Sequence, residues 1–334
     1  MLTRPWARCS LAIGTAAMLG CSIEDAGAAG APDTRATAFP SKLIRILLGF
    51  PPGSSTDLMA RSIPTNVAET LGQQILVDNR PGANGILAAE LALKAPPDGH
   101  TMLLVSVSHT MNAAVRKLSF DPVASFSPIT LLGSGPLMLV VHPSVPARDV
   151  KELIALARSK PGALNYAVAG TGGVNHFAAA LFGHMAKVEM TVVPYKGGAQ
   201  ALTEVIGGQV ELMFGTMALS LRHARAGKVR ALGVTADRRS ALIPEVPTIA
   251  EAGVPGYEIS SWWGMVAPAG VPAPIINRLN SEIAAVLKQP ELAQRLEPDG
   301  AFPASSTSGA FPQRLNAEVE KWKRIARDSD IKME

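Results

Sequence analysis

The sequence predicts an α/β protein of two lobes, each lobe on a parallel-rich sheet, with a cleft between them. Three observations predict it. A length of 334 residues suits two units of the common size, about 100–150 residues each. Hydrophobic residues make up 47% of the chain against 17% charged, which is ample for buried cores and too little charge for disorder. Short apolar runs alternate with helix-period stretches in two successive sets, the signature of strands joined by helical crossovers.

In chain order the first prediction is an export signal over residues 1–28. Arg4 and Arg8 supply a positive start, residues 10–20 a short apolar run, and Ala26, Gly27, Ala28 and Ala29 a small-residue cleavage site. The run is well short of the roughly 20 residues that span a bilayer. No other segment is longer and as apolar, so the processed chain is expected to be soluble and periplasmic. A rival reading is a lipoprotein box, Met18-Leu19-Gly20-Cys21, with lipid on Cys21. Both cysteines, Cys9 and Cys21, lie in this leader. Processing beyond Ala28 would leave none, which excludes disulfides, thiolate metal sites and cysteine nucleophiles.

Residues 44–49 (IRILLG) predict the first strand, ending in the Gly/Pro/Ser loop 50–56. Residues 57–71 predict one helix, with Leu58, Ile63, Val67 and Leu71 on a stripe and Asp57 as its cap. A strand at 74–77, the turn RPGANG at 80–85, a helix at 86–94 and a strand at 101–105 follow. Such units close by right-handed crossovers into a largely parallel sheet. After Pro143 the pattern repeats. Helices are predicted at 150–158, 174–186 and 199–206, and strands at 165–168, 189–193, 211–214 and 229–235. Beyond a proline-rich stretch come a strand at Trp262 and Trp263, then helices at 275–287 and 311–327. These late helices are expected to return to the first lobe. Lobe 1 is therefore assigned 40–134 and 256–334, and lobe 2 is assigned 135–255.

Ligands of open parallel sheets bind beyond the carboxyl ends of strands, where loops lead into helices. Three such loops are rich in glycine and hydroxyls: 50–57 (FPPGSSTD), 169–174 (AGTGGV) and 194–199 (PYKGGA). Each offers unpaired backbone N–H groups and a partial positive charge at a helix start. Glycine admits a ligand close to the backbone, and Ser and Thr add donors. Loops from both lobes facing one cleft would solvate carboxylates without a dedicated arginine. Ser106 and Ser108, after a strand, are candidates for the same cleft. Lys196 is a candidate counter-charge, and His176 a candidate donor beside the second loop. Trp262 and Trp263 are candidates either for stacking on a ring or for the core.

No G-x-S-x-G elbow, phosphate-binding G-x-x-x-x-G-K-[ST], H-E-x-x-H or G-x-G-x-x-G is present. His176 and His184 stand eight apart with no carboxylate between them, a poor zinc arrangement. Catalysis, a metal and a cofactor are therefore not expected. The net charge of +4 is scattered, with no basic stripe interleaved with aromatics, so nucleic acid is not an expected partner.

Several runs together resemble a known family. They are F-P-P-G-S-S-T-D (50–57), V-D-N-R-P-G-A-N-G (77–85), A-P-P-D-G-H-T (95–101), P-Y-K-G-G (194–198), G-G-Q-V-E-L-M-F (207–214), V-P-T-I-A-E-A-G (246–253) and W-W-G-M-V-A-P-A-G-V-P (262–272). In this order they resemble the solute receptors of tripartite tricarboxylate transporters, the Bug-type receptors. The resemblance implies a type II periplasmic-binding-protein fold, with crossing strands between the lobes and closure on a ligand. It implies a di- or tricarboxylic or aromatic acid as solute, membrane transporter subunits as partner, and no catalysis. Carried over by motif, the implied ligand residues are Phe50, Gly53, Ser54, Thr56 and Asp57 from the first loop. The second lobe would supply Thr171, Gly172, Gly173 and His176, with Lys196, Gly197 and Gly198. Two departures argue against an amino-acid ligand: Ser54 replaces a usual second glycine, and Gly215 stands where many relatives carry Asp. A monomer is expected. A periplasmic sensor would use the same cleft, and an exported hydrolase would need a nucleophile that Ser54, Ser55, Ser106 and His176 supply only in parts.

Overall fold

The computed structural model describes residues 39–297, 300–328 and 331. The predicted leader, with Cys9 and Cys21, lies outside them.

The run IRILL forms strand β1 (Ile44–Leu48), buried at nearly every position. Such apolar, β-branched runs suit a strand covered on both faces. It pairs in parallel with β2 (Ile75–Asn79) and β3 (Thr101–Ser106). Between β1 and β2 the single predicted helix is two, α1 (Ser55–Ser62) and α2 (Pro64–Leu71). Pro64 is the reason: without an N–H it starts a helix but cannot continue one. Ser54, and not Asp57, is the N-cap of α1, its hydroxyl accepting from the Asp57 N–H at 3.2 Å. Helix α3 (Ile86–Leu93) crosses from β2 to β3, and α4 (Ser108–Val115), unforeseen in the sequence, follows β3.

The sheet is mixed: the strands of each set are parallel among themselves, as expected, and antiparallel strands join the two sets. Its order is β2-β1-β3-β9-β4-β7-β5-β6. Strand β4 (Phe126–Val141) and strand β9 (Ser260–Pro268) lie side by side and antiparallel at its centre. From Phe126 to Pro136, β4 pairs with β9. From Leu137 to Val141 it pairs with β7 (Leu212–Thr216) and β8 (Arg230–Val234). Strand β7 continues in parallel to β5 (Asn165–Val168), and β5 to β6 (Thr191–Pro194). The long β4 was hidden by Pro128, Gly133, Gly135 and Pro136, which read as turn residues. The ladder absorbs Pro128 and Gly133 by shifting register at two places, as bulges do. Strand β10 (Phe302–Pro303) also pairs with β4.

Helices α5 (Val150–Ser159), α6 (Val174–Ala186), α7 (Gly198–Ile206) and α8 (Met217–Arg225) accompany the second set of strands. After β9, α9 (Ala273–Leu287) packs on α2 and β4, followed by α10 (Pro290–Leu296). Helix α11 (Ala310–Asp328) packs on α4 and on α6. Trp262 and Trp263 point into different core clusters, because successive strand side chains alternate. Trp262 meets Phe311 edge-on at 6.0 Å. Both are 1–2% exposed, so both serve the core.

His109 on α4 is buried against Phe120 and Phe126, its Nε2–H donating to the Pro122 carbonyl at 2.8 Å. Burial pushes its pKa down to about 4, against smaller upward effects of the Pro122 carbonyl and Asp121. The unfolded chain then takes up a proton that the folded one refuses, between the ordinary histidine value and about 4. Stability present above pH ~6.5 should fall by up to about 3 kcal/mol as pH drops through that window. Urea unfolding at pH 7 and pH 4.5, wild type against His109→Gln, measures it. Equal pH slopes for the two proteins would refute the assignment.

Candidate functional site

A cavity of about 320 Å³ opens beyond the carboxyl ends of β1, β3, β5 and β7, at the lower end of small-ligand pockets. Phe50, Ser54 and Thr56 reach it from the first predicted loop, and Ser106 and Ser108 from the end of β3 and the start of α4. Thr171 and Gly173 line it from the second loop, and Lys196, Gly197 and Gly198 from the third. The three glycine and hydroxyl loops therefore do converge. Gly173 is the N-cap of α6 and Gly197 the N-cap of α7, both with extended backbone and neither with a side-chain cap. The His176 N–H already bonds the Gly173 carbonyl at 3.0 Å; the N–H groups that open the two helices ahead of it, with no side-chain cap, can serve an anion.

Gly53, Asp57, Gly172 and His176, expected at the site, do not line this cavity. The Asp57 carboxylate is buried behind α1, where it accepts from the Gly53 N–H at 3.0 Å, Arg61 Nε at 3.0 Å and Asn79 Nδ2 at 2.9 Å. Burial raises its pKa, but the bonds from Arg61, Asn79 and Gly53 outweigh that and hold it below the ordinary value. It stays ionised and clamps the first loop to β2. His176 lies on α6 beside a second, open hollow that includes Tyr166, His184 and Lys187. Its Nδ1 accepts the Gly172 N–H at 3.1 Å, and burial depresses its pKa. The neutral ring thus shapes the second loop from behind.

The structure adds residues that sequence reasoning did not select. The turn after β2 brings Pro81, Gly82, Ala83 and Asn84 to the wall. Ala83 and Asn84 take left-handed backbone angles, φ 48° and 53°, rare for side-chain-bearing residues though tolerated by Asn. Asn84 Nδ2 donates to the Thr171 carbonyl, so one side chain ties the first set of loops to the second. A Cβ on Gly170 would stand 3.0 Å from Asn84 Oδ1, and Gly170 has φ +98°; only glycine fits there. A Cβ on Gly49 would stand 2.3 Å from the Gly85 backbone, so the backbones of the first loop and this turn approach this closely only because both positions are glycine. Asn175 also lines the cavity and donates to the Phe214 carbonyl at β7. Thr216, the N-cap of α8, presents a buried hydroxyl without a hydrogen-bond partner among the described residues. Arg116, just past α4, is part of the wall as well. The sequence carried a signal for Asn84, since RPGANG sits between a strand and a helix like the other loops. It carried none for Arg116 or Thr216, whose helices α4 and α8 were not foreseen.

Among the described residues no aspartate or glutamate lines the cavity, whereas Lys196 and Arg116 do. The arrangement offers helix-start N–H groups, hydroxyls and two cations, which is the chemistry of anion capture. Among the described residues no three His, Cys, Asp or Glu gather as a metal site, and no helix is long and apolar enough to cross a membrane.

Known proteins agree with this architecture. BugT of Bordetella pertussis is 32% identical over 320 residues, covering 95% of this chain and 98% of that protein. The R. palustris protein Rpa4515, solved with adipate, is 35% identical with a TM-score of 0.84, covering 88% of this chain and 99% of that one. MatC from Rhodopseudomonas palustris, solved with bound malate, is 34% identical with a TM-score of 0.80, covering 86% and 99%. The fold is that of the two-lobed periplasmic binding proteins. Residues 59–331 match the tripartite tricarboxylate transporter family receptor, and the chain belongs to that receptor family.

Proposed function

We propose that this chain is a periplasmic receptor that captures a small carboxylate, a di- or tricarboxylic or aromatic acid, and delivers it unchanged to a tripartite tricarboxylate-type membrane transporter. The observation that carries the reading is the cavity wall, where helix starts from both sets of strands converge with two cations and, among the described residues, no carboxylate. Relatives solved with adipate and malate support the ligand class. In this reading Phe50, Ser54, Thr56, Ser106, Thr171, Gly173, Lys196, Gly197 and Gly198 contact the ligand. Gly53, Asp57, Gly172 and His176 hold the loops from behind. The lobes are 40–134 with 256–334, and 135–255, and they close about β4 and the segment entering β9. Contacts to both lobes favour the closed state. The leader at 1–28 exports the chain, which works as a monomer.

Calorimetric and thermal titration of ligand-stripped protein with adipate, malate, citrate and terephthalate tests the reading. A bound acid at a hundredfold excess over its Kd should stabilise the protein by about 2.7 kcal/mol. A folded protein that answers to neutral sugars or amides and to no organic acid would remove the carboxylate reading.

A further inference from the structure

Asn84 bridges the two sets of strands. It sits in the turn after β2, the strand at one edge of the sheet, and its Nδ2 donates to the Thr171 carbonyl in the loop after β5. Both sides of this bond are shaped to it. On its own side the Asn84 carbonyl accepts from Asn112 Nδ2 at 3.2 Å, and Asn112 of α4 is 2% exposed. The turn closes through the Gly85 N–H and the Gly82 carbonyl at 2.9 Å. Asn84 holds φ 53° and ψ 36°, a left-handed conformation that asparagine tolerates better than most residues. On the far side the loop leaves a notch for the amide. A Cβ on Gly170 would stand 3.0 Å from Asn84 Oδ1, and one on Gly173 would stand 3.5 Å away. Asn84 and Thr171 are both half-buried, so water competes only in part for their bond. The bond joins protein groups alone and makes no demand on the shape or charge of a solute.

We infer that Asn84 is a positioning residue, a latch across the cavity that sets how tightly any solute is held without selecting among solutes. The inference rests on the proposed capture between two lobes: moving the loops after β2 away from the loop after β5 breaks the bond to Thr171, and closure remakes it. A bond made only in the closed arrangement favours that arrangement by the same amount whatever is bound. Apparent affinity scales with the population competent to bind. One neutral hydrogen bond is enough to change that population by about 3- to 10-fold.

The test titrates adipate, malate, citrate and terephthalate calorimetrically into wild type, Asn84→Gly and Asn84→Ala, and records small-angle X-ray scattering of each protein with and without acid. Glycine removes the amide and suits the left-handed turn, whereas alanine removes it and keeps the backbone cost. Thermal midpoints of the two variants therefore separate backbone effects from the lost bond. Both variants should bind every acid that wild type binds about 3- to 10-fold more weakly, by the same factor for each acid. The ligand-free variants should have larger radii of gyration than ligand-free wild type, and all three proteins should converge at saturation. Losses that differ between acids by more than about threefold would make Asn84 a solute contact. Unchanged affinity with unchanged scattering would make the bond incidental. Either result overturns the inference and leaves carboxylate capture standing. A loss in Asn84→Ala alone, following its midpoint, would show backbone strain in place of a latch and overturns it too. Wild type that binds none of the four acids would remove the carboxylate reading, and the scattering of the ligand-free proteins would then decide the latch by itself.

Discussion

Gly197→Asp should reduce carboxylate affinity by 100-fold or more while leaving the protein as stable as wild type. Gly197 is the N-cap of α7, with φ −177° and ψ 165°, an extended backbone that any residue adopts. A Cβ there would meet only Pro51 Cγ, at 3.5 Å, which is ordinary contact. Aspartate is a better N-cap than glycine by a few tenths of a kcal/mol, so the fold loses nothing. The cavity loses its chemistry. The new carboxylate takes the N–H groups that would serve the ligand, offsets Lys196 beside it, and repels a second anion. Two like charges about 4 Å apart cost about 4 kcal/mol at an effective dielectric near 20. Gly197→Asn has nearly the same shape without the charge and should keep at least tenfold more affinity than the aspartate variant. Titration calorimetry with the best acid, beside a thermal melt of each variant, gives the answer. Unchanged affinity in Gly197→Asp would mean that the α7 start does not face the ligand.

Trp322→Ala should cost about 3–5 kcal/mol, the range for emptying a large buried aromatic site. That is a large part of the roughly 5–15 kcal/mol by which a protein exceeds its unfolded state. Trp322 is 1% exposed and lies on α11. Its ring meets Phe177 of α6 edge-on at 5.5 Å, and its Nε1–H donates to Glu318 at 2.7 Å. Through it the last helix holds α6, whose first turn borders the cavity. Urea unfolding should show a lower midpoint at unchanged slope, and Trp322→Phe should recover more than half of the loss. A cost below 1 kcal/mol would show that α11 is dispensable to α6.

Sequence and structure agree best where order is local. The strands at 44–48 and 165–168 and the helix at 174–186 stand where their periodicity placed them, because an apolar stripe of fixed period reports its own geometry. Disagreement begins where distant chain decides. The helix expected at 57–71 divides at Pro64, a local cue read too lightly. Strand β4 was invisible because its prolines and glycines are tolerated only by particular neighbours, β9 on one side and the β10 segment at Gly133 and Gly135. The late helices were expected to return to the first lobe; in the structure α11 packs on α4 and on α6, contacts that no local pattern announces.

The candidate site divides in the same way. That the loops at 50–57, 169–174 and 194–199 prepare helix starts for an anion is written in their own residues, since glycine, hydroxyl and strand-to-helix context act over a few positions. Whether a given side chain faces the hollow is set by which loops meet across it. Asp57 turns away because Arg61 and Asn79 claim it, and His176 because the Gly172 N–H does. Asn84 and Arg116 enter because β2 and α4 end beside the second set of loops. Spacing along a chain encodes periodicity and charge, but the approach of residues 84 and 171 depends on the register of every strand between them. That register is a property of the packed sheet, not of any one segment.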